Sequence, residues 1–242
     1  TRGVQQTPPA LPAYEVTEKN SPAGIAALVR KKWGLPPGPV GNLCRLLEQQ
    51  GIVVCDFDFG TDRVDSRTLL TDDGLPIIFL NRRLQGDRQR YTLAFELGHL
   101  ILHTYCTVPH HRDVTHEANL FAAAFLLPQQ DILPDFGLPI TLPLLAELKL
   151  KWQQSMISLL YRVDDLGLLT ANQKRYLIQQ FNQQRIRRRE PPELDVRREP
   201  PQLFRRLLKQ FCQVHRLPLA ALATFLGLYM DELQQLYFTD TA

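Results

Sequence analysis

The reading of this chain turns on Arg90-Tyr91-Thr92-Leu93-Ala94-Phe95-Glu96-Leu97-Gly98-His99-Leu100-Ile101-Leu102-His103. The stretch belongs to a long helix expected to start at Gly86-Asp87 and run to about Tyr105. A zinc peptidase helix needs two histidines at i and i+4, with a glutamate after the first as general base. Glu96 and His99 occupy the second and last of those places, but Phe95 stands where the first histidine belongs. A phenyl ring has no lone pair and cannot coordinate a metal. Glu-x-x-His alone is common by chance, so the motif carries weight only with its surroundings.

The surroundings supply it. Pro76-Ile77-Ile78-Phe79-Leu80-Asn81 is an apolar strand leading through charged residues into the helix. Downstream lie Glu117-Ala118-Asn119-Leu120-Phe121-Ala122 and Leu126-Leu127-Pro128, then Trp152, Ser155, Leu159, Arg162, Leu166 and Gly167. Together these resemble the ImmA/IrrE family of zinc metallopeptidase-like proteins, whose motif helix reads close to R-[FY]-T-L-A-H-E-L-G-H-L-x-L-H. Only Phe95 departs from it, and the resemblance spans roughly residues 20–240. It implies an α+β, zincin-like fold: a small, mostly antiparallel sheet with helices, followed by an all-helical C-terminal region.

The resemblance also implies a third zinc ligand, a glutamate three residues before the Ala of the Ala-Asn pair. That place is held by Thr115, with Glu117 two residues further on. Two residues turn a helix by about 200°, so Glu117 faces away if Thr115 faces the site. With Phe95 and Thr115 both at replaced ligand positions, zinc lacks the three protein ligands of a catalytic site. Glu96 then has no polarised water to deprotonate. The expectation is a pseudoenzyme that needs no cofactor. The alternative keeps zinc through a shifted site: His99 and His103 share a stripe with Glu96, and His110, His111, Asp113, His116 and Glu117 crowd the next segment. Phe95 itself reads as core, plugging the vacated position. Glu96 becomes a half-buried acid that needs a backbone N–H or one of Arg82, Arg83 and Arg88.

The 242 residues suit one ordinary domain with an appendage, or two small ones. At 44% hydrophobic and 22% charged residues, the chain forms a core, and wholesale disorder is excluded. A net charge of +3 is too weak for a dedicated nucleic-acid coat. No run is long and apolar enough for a membrane span, and no secretory leader opens the sequence. Cys44, Cys55, Cys106 and Cys212 are scattered, so neither a zinc ribbon nor a disulfide framework is expected, and a cytoplasmic setting fits. The start at Thr1 leaves room for an upstream segment, such as the DNA-binding domain that many members of the resembled family carry.

Along the chain, residues 1–20 read as a Pro-rich tail or linker and 21–138 as the zincin-like domain. Within that domain, helices are expected over Pro22–Trp33, Val40–Gln50 and Asp113–Leu127. Strands are expected over 52–59, Ser66–Thr71 and Pro76–Asn81, with a hairpin turn at Asp72-Asp73-Gly74. Residues 139–184 are a helical region, with helices near Leu142–Lys151, Gln154–Leu166 and Ala171–Gln184. Residues 185–201 form a charged, Pro-rich linker, and 202–242 a small tail resembling a helix-turn-helix with Gly227 in its turn. Arg185 to Lys209 holds nine basic residues against four acidic ones, and Arg187, Arg188 and Arg189 are its candidates for phosphate contact. The second helix of the tail offers Asp231, Glu232, Gln234 and Gln235, which repel phosphate. A packing or protein-docking role suits it better.

Three functions compete. The first is a degenerate peptidase-like regulatory or sensor module in transcriptional or stress-response control, acting through a protein partner, such as a repressor or regulator, or through a small molecule. The second is an active zinc metallopeptidase that cleaves a transcriptional repressor. The third is a DNA-binding regulator working through the arginine stretch or an upstream domain. Metal content separates the first two, and salt-dependent DNA retention marks the third.

Overall fold

Asp72-Asp73-Gly74 closes a tight hairpin: Gly74 takes φ 78°, and its N–H donates to the Thr71 carbonyl at 2.8 Å. A side chain is strained in that left-handed conformation, so glycine is the natural occupant. The hairpin joins β2 (Ser66–Leu70) to β3 (Pro76–Asn81). This computed structural model describes residues 11–104 and 108–238.

The chain divides into two units, each built from segments distant in sequence. One combines Cys44–Arg83 with the C-terminal segment from Glu199. Its three-stranded sheet has the order β1-β3-β2, with β1 at Val53–Phe57. The α+β class stands, but the sheet is mixed rather than mostly antiparallel. β2 pairs antiparallel with β3, and β1 pairs parallel with it, Val53 opposite Ile77 and Cys55 opposite Phe79. The hairpin uses one edge of β3, which leaves the other to β1. Successive residues Val53, Val54 and Cys55 are all buried, so β1 is covered on both faces, the usual setting of a parallel strand. Alternation along the strands puts Val53, Cys55, Ile77 and Phe79 on one face. There they pack against Leu203, Phe204 and Leu207 of α9 (Leu203–His215).

Two buried glutamates fasten this unit. Glu48, on α2 (Leu43–Gln49), accepts from the N–H groups of Gln202 (2.8 Å) and Leu203 (2.7 Å) at the start of α9. Glu199 in turn accepts from the Cys44 N–H, at 2.8 Å, at the start of α2. Each carboxylate satisfies orphan donors at the other helix's N-terminus. The helix begins at Leu43, three residues after its expected start at Val40, because the chain bends around Gly38 and Gly41 first. Beyond α9, α10 (Leu219–Leu226) ends at Gly227, in the left-handed conformation, and α11 (Met230–Tyr237) follows. Leu208, Leu222, Ala223 and Leu233 form their core, while Asp231, Glu232, Gln234 and Gln235 are exposed. Among the described residues Cys44, Cys55 and Cys212 form no disulfide, and Cys106 lies outside them.

The second unit combines Leu11–Leu43 with Leu84–Arg198. Ser21 caps α1 (Pro22–Lys32) through Gly24 N–H, with Pro22 at the first helical position. The motif helix, α3, spans Gly86–Leu102 and ends short of the expected Tyr105, which lies outside the described residues. α4 (Val114–Leu126) crosses α3 at Gly98, where an added Cβ would lie 3.2 Å from both the Ala118 carbonyl oxygen and the Phe121 ring. The small residue sets how near the two helices approach. After a short α5 (Gln129–Ile132) come α6 (Leu142–Trp152), α7 (Met156–Asp165) and α8 (Ala171–Gln183). The Thr170–Gln173 capping box starts α8.

Buried charges hold these helices in place. Arg30 donates to the carbonyls of Phe125 (2.8 Å), Pro36 (2.9 Å) and Gly38 (2.8 Å). Arg90, 1% exposed, donates to Val40 and Gly41 carbonyls, each at 2.6 Å. Lys149, in α6, pairs with Asp87 of α3 and, at 2.7 Å, with Glu190. Glu190 also accepts from the Met156 N–H at 2.8 Å, capping α7. The segment around Glu190 is thus tied in at several points, and its backbone passes so close to Gly86 that an added Cβ would meet the Val196 carbonyl oxygen at 2.2 Å.

Candidate functional site

Helical spacing aligns Phe95, His99 and His103 on one stripe of α3. The Phe95 and His99 rings meet edge to face, with centroids 4.7 Å apart. Phe95 is half-buried rather than fully core. His99 Nδ1 lies 3.0 Å from His103 Nδ1, and His103 Nε2 lies 2.9 Å from Glu117 Oε2. Glu117 comes from the first turn of α4, a helix started by Asp113, whose Oδ1 accepts from the His116 N–H at 2.9 Å.

Arg112 completes the group. Its Nε donates to Glu117 Oε1 at 2.7 Å and its Nη2 to Oε2, a bidentate clamp. The Arg112 hydrogen bonds, helped by His103, hold the Glu117 carboxyl below its ordinary value despite partial burial. Ionised Glu117 only accepts, so His103 presents its N–H at Nε2. Between His103 Nδ1 and His99 Nδ1 one nitrogen donates and the other accepts, as the tautomers set it. Burial, reinforced by the neighbouring His103, lowers the His99 pKa, with Glu96 opposing. The result is a relay His99–His103–Glu117 anchored by a guanidinium.

His99, His103 and Glu117 therefore converge. Thr115 is exposed, and its backbone carbonyl accepts from Asn119 Nδ2 at 2.9 Å. His110, His111 and His116 are exposed, while Glu96 is half-buried beside His99. Of the arginines considered for Glu96, Arg82 and Arg83 pair with Asp58, at 2.7 and 3.0 Å. Arg187 and Arg188 are exposed. Arg189 is held by Asp195 at 2.5 Å and by Gln85 at 2.8 Å. Arg112 was missed in the sequence. Its only signal there is a position five residues before Glu117, across a helix start.

These donors do not make the three-ligand centre a catalytic zinc needs. Phe95 contributes nothing, both His103 nitrogens and both Glu117 oxygens are engaged, and Arg112 places a fixed positive charge where a cation would compete for the same carboxylate. Among the described residues, no group of three or more His, Cys, Asp or Glu is arranged to hold a metal.

Residues 47–164 match the Peptidase_M78 family, the IrrE N-terminal-like domain. This match agrees with the resemblance to ImmA/IrrE proteins expected from the sequence. Among solved structures it is similar to a Mycobacterium tuberculosis transcriptional regulator, with 16% identity and a TM-score of 0.43, over 59% of this chain. That match takes in 46% of the regulator's chain, so less than half of it is represented. No curated protein matches the chain. No helix among the described residues is long and apolar enough to cross a membrane.

Proposed function

We propose that this IrrE-like domain is a regulatory or sensor module whose peptidase helix no longer carries catalytic zinc, acting in transcriptional or stress-response control through a protein or small-molecule contact. The observation that carries this reading is the Arg112 clamp on Glu117: a guanidinium takes the carboxylate that could have complemented His99 and His103. Phe95, packed edge-on against His99, supports it by removing a ligand and filling the space beside the next one. The relay that remains is suited to holding α3 and the start of α4 in one arrangement, not to activating water.

The test is metal content. The purified chain, dialysed against zinc and then buffer, is expected to retain far less than one equivalent by elemental analysis. Phe95→His combined with Arg112→Ala is expected to raise retention. One tightly held zinc per unmodified chain, removed by chelator, would instead establish the metallopeptidase reading.

A further inference from the structure

Positive charge gathers where α8 ends. From 171 to 189 the chain has six basic residues and no acidic one, so nothing within the stretch neutralises them. Arg185 takes a left-handed φ of 58°. Its N–H donates to the Asn182 carbonyl at 3.1 Å, and the Ile186 N–H donates to the carbonyl of the buried Phe181 at 3.0 Å. A few residues on, Glu190 is bound to Lys149 and to the Met156 N–H. The arginines between these points ride on an anchored turn.

A cleft of about 700 Å³ opens beside this turn. Arg185, Arg187 and Arg188 line it with Asn182 and, from α7, Ile157 and Tyr161. The arginines, Asn182 and Tyr161 are exposed. Among the described residues no acidic residue lines the cleft, and no hydrogen bond or ion pair engages the side chains of the three arginines. Acids close by are already taken: Glu190 by Lys149, Asp195 by Arg189 and Asp164 by Lys174. A cleft lined by one sign of charge draws in the opposite sign. Guanidinium forks suit phosphate oxygens, which they can bind in pairs. Tyr161 adds a ring on which a base can stack, and Asn182 carries both a donor and an acceptor for a base edge.

We infer that this cleft binds a nucleotide, its phosphates on Arg185, Arg187 and Arg188 and its base against Tyr161. A free nucleotide and a unit of a single strand present the same groups. The inference does not depend on whether α3 binds zinc. Zinc uptake with intact nucleotide binding would remove only the proposed function, and absent nucleotide binding would remove only this site.

The experiment titrates the full chain by calorimetry with ADP, pyrophosphate, adenosine, hexaglutamate and a short single-stranded oligo(dA). ADP is expected to bind about tenfold more tightly than pyrophosphate, the worth of one stacked base, and adenosine not measurably. Tighter binding of the oligonucleotide than of ADP assigns the site to a strand, and the reverse assigns it to a free nucleotide. Arg187→Gln combined with Arg188→Gln is expected to weaken the tighter of the two about tenfold or more. Both side chains are exposed, so the core is untouched. Tyr161→Ala is expected to bring ADP down to the level of pyrophosphate. Equal affinity for ADP and pyrophosphate in the unmodified chain overturns the assignment, and hexaglutamate bound as tightly as ADP replaces it with an acidic protein segment. Nucleotide binding that survives the arginine substitutions overturns it too, as does a folded chain that binds neither ADP nor the oligonucleotide.

Discussion

His103 Nε2 lies 2.9 Å from Glu117 Oε2, and the same carboxylate is clamped from its other side by Arg112. A position at the edge of a peptidase-type motif has thereby become an internal ion-pair site. The Glu117 side chain is 14% exposed, so its partners cannot all turn to water when it is lost.

Glu117→Ala removes the acceptor of the Arg112 Nε and Nη2 N–H groups and of His103 Nε2. A buried or half-buried donor stranded in this way costs about 1–3 kcal/mol. Urea denaturation should show a loss of that size. An unchanged midpoint would mean the network contributes nothing to holding α4.

Acid should weaken the fold in two overlapping stages. The His99 pKa is lowered in the folded chain, so the unfolded chain takes up the proton first. Stability begins to fall as pH drops below the ordinary histidine value of about 6.5. The Glu117 pKa is also lowered, so its contribution is fully present above about pH 4.3 and is lost as pH falls through its folded value. Imidazole NMR should give His99 a midpoint below 6.5, and denaturant midpoints should decline from that pH downward. A His99 midpoint above the free-histidine value would contradict the burial that causes the shift.

Lys149→Met should be among the most damaging single changes. Burial works against the Lys149 charge, but its hydrogen bonds to Asp87 and Glu190 outweigh this and hold its pKa above the ordinary value. Removing it strands two carboxylates in the interior, at a cost of about 3–5 kcal/mol. The arginines at 185–189 should also become faster trypsin sites, since Glu190 is one of the groups that tie that segment down. Cleavage at the unmodified rate would show that the segment is fixed by other contacts.

Glu48→Ala removes the acceptor shared by the Gln202 and Leu203 amides, whose loss costs about 1–3 kcal/mol. The change should appear as faster hydrogen exchange at those two amides and along α9, with the α3 amides unaffected. Exchange that accelerates equally in both regions would mean that the carboxylate acts on global stability and not on α9.

The elements were legible wherever local chemistry governs them. Caps and breakers such as Ser21, Thr170, Gly74 and Gly227 lie at the helix ends and turns their residue types favour. The strand Pro76–Asn81 and the motif helix were plain from apolar pattern alone. The sheet was less so: hairpin chemistry announces β2 against β3, but nothing local tells β1 to lie parallel on the far edge of β3. The ion pairs were least legible. Lys149 with Asp87, Glu48 with Leu203 and Arg112 with Glu117 are set by which helices pack, not by spacing.

For the site, the sequence by itself determined that Phe95 offers no ligand, because a side chain's donor inventory is fixed by its identity. It also placed Glu96, His99 and His103 on one helix stripe, because helical periodicity is local. Only the tertiary structure decided that Glu117, and not Thr115, meets those histidines, and that Arg112 already holds its carboxylate. The crossing of α3 and α4 at Gly98 fixes both, and a crossing is a packing outcome that depends on the whole helical unit at once.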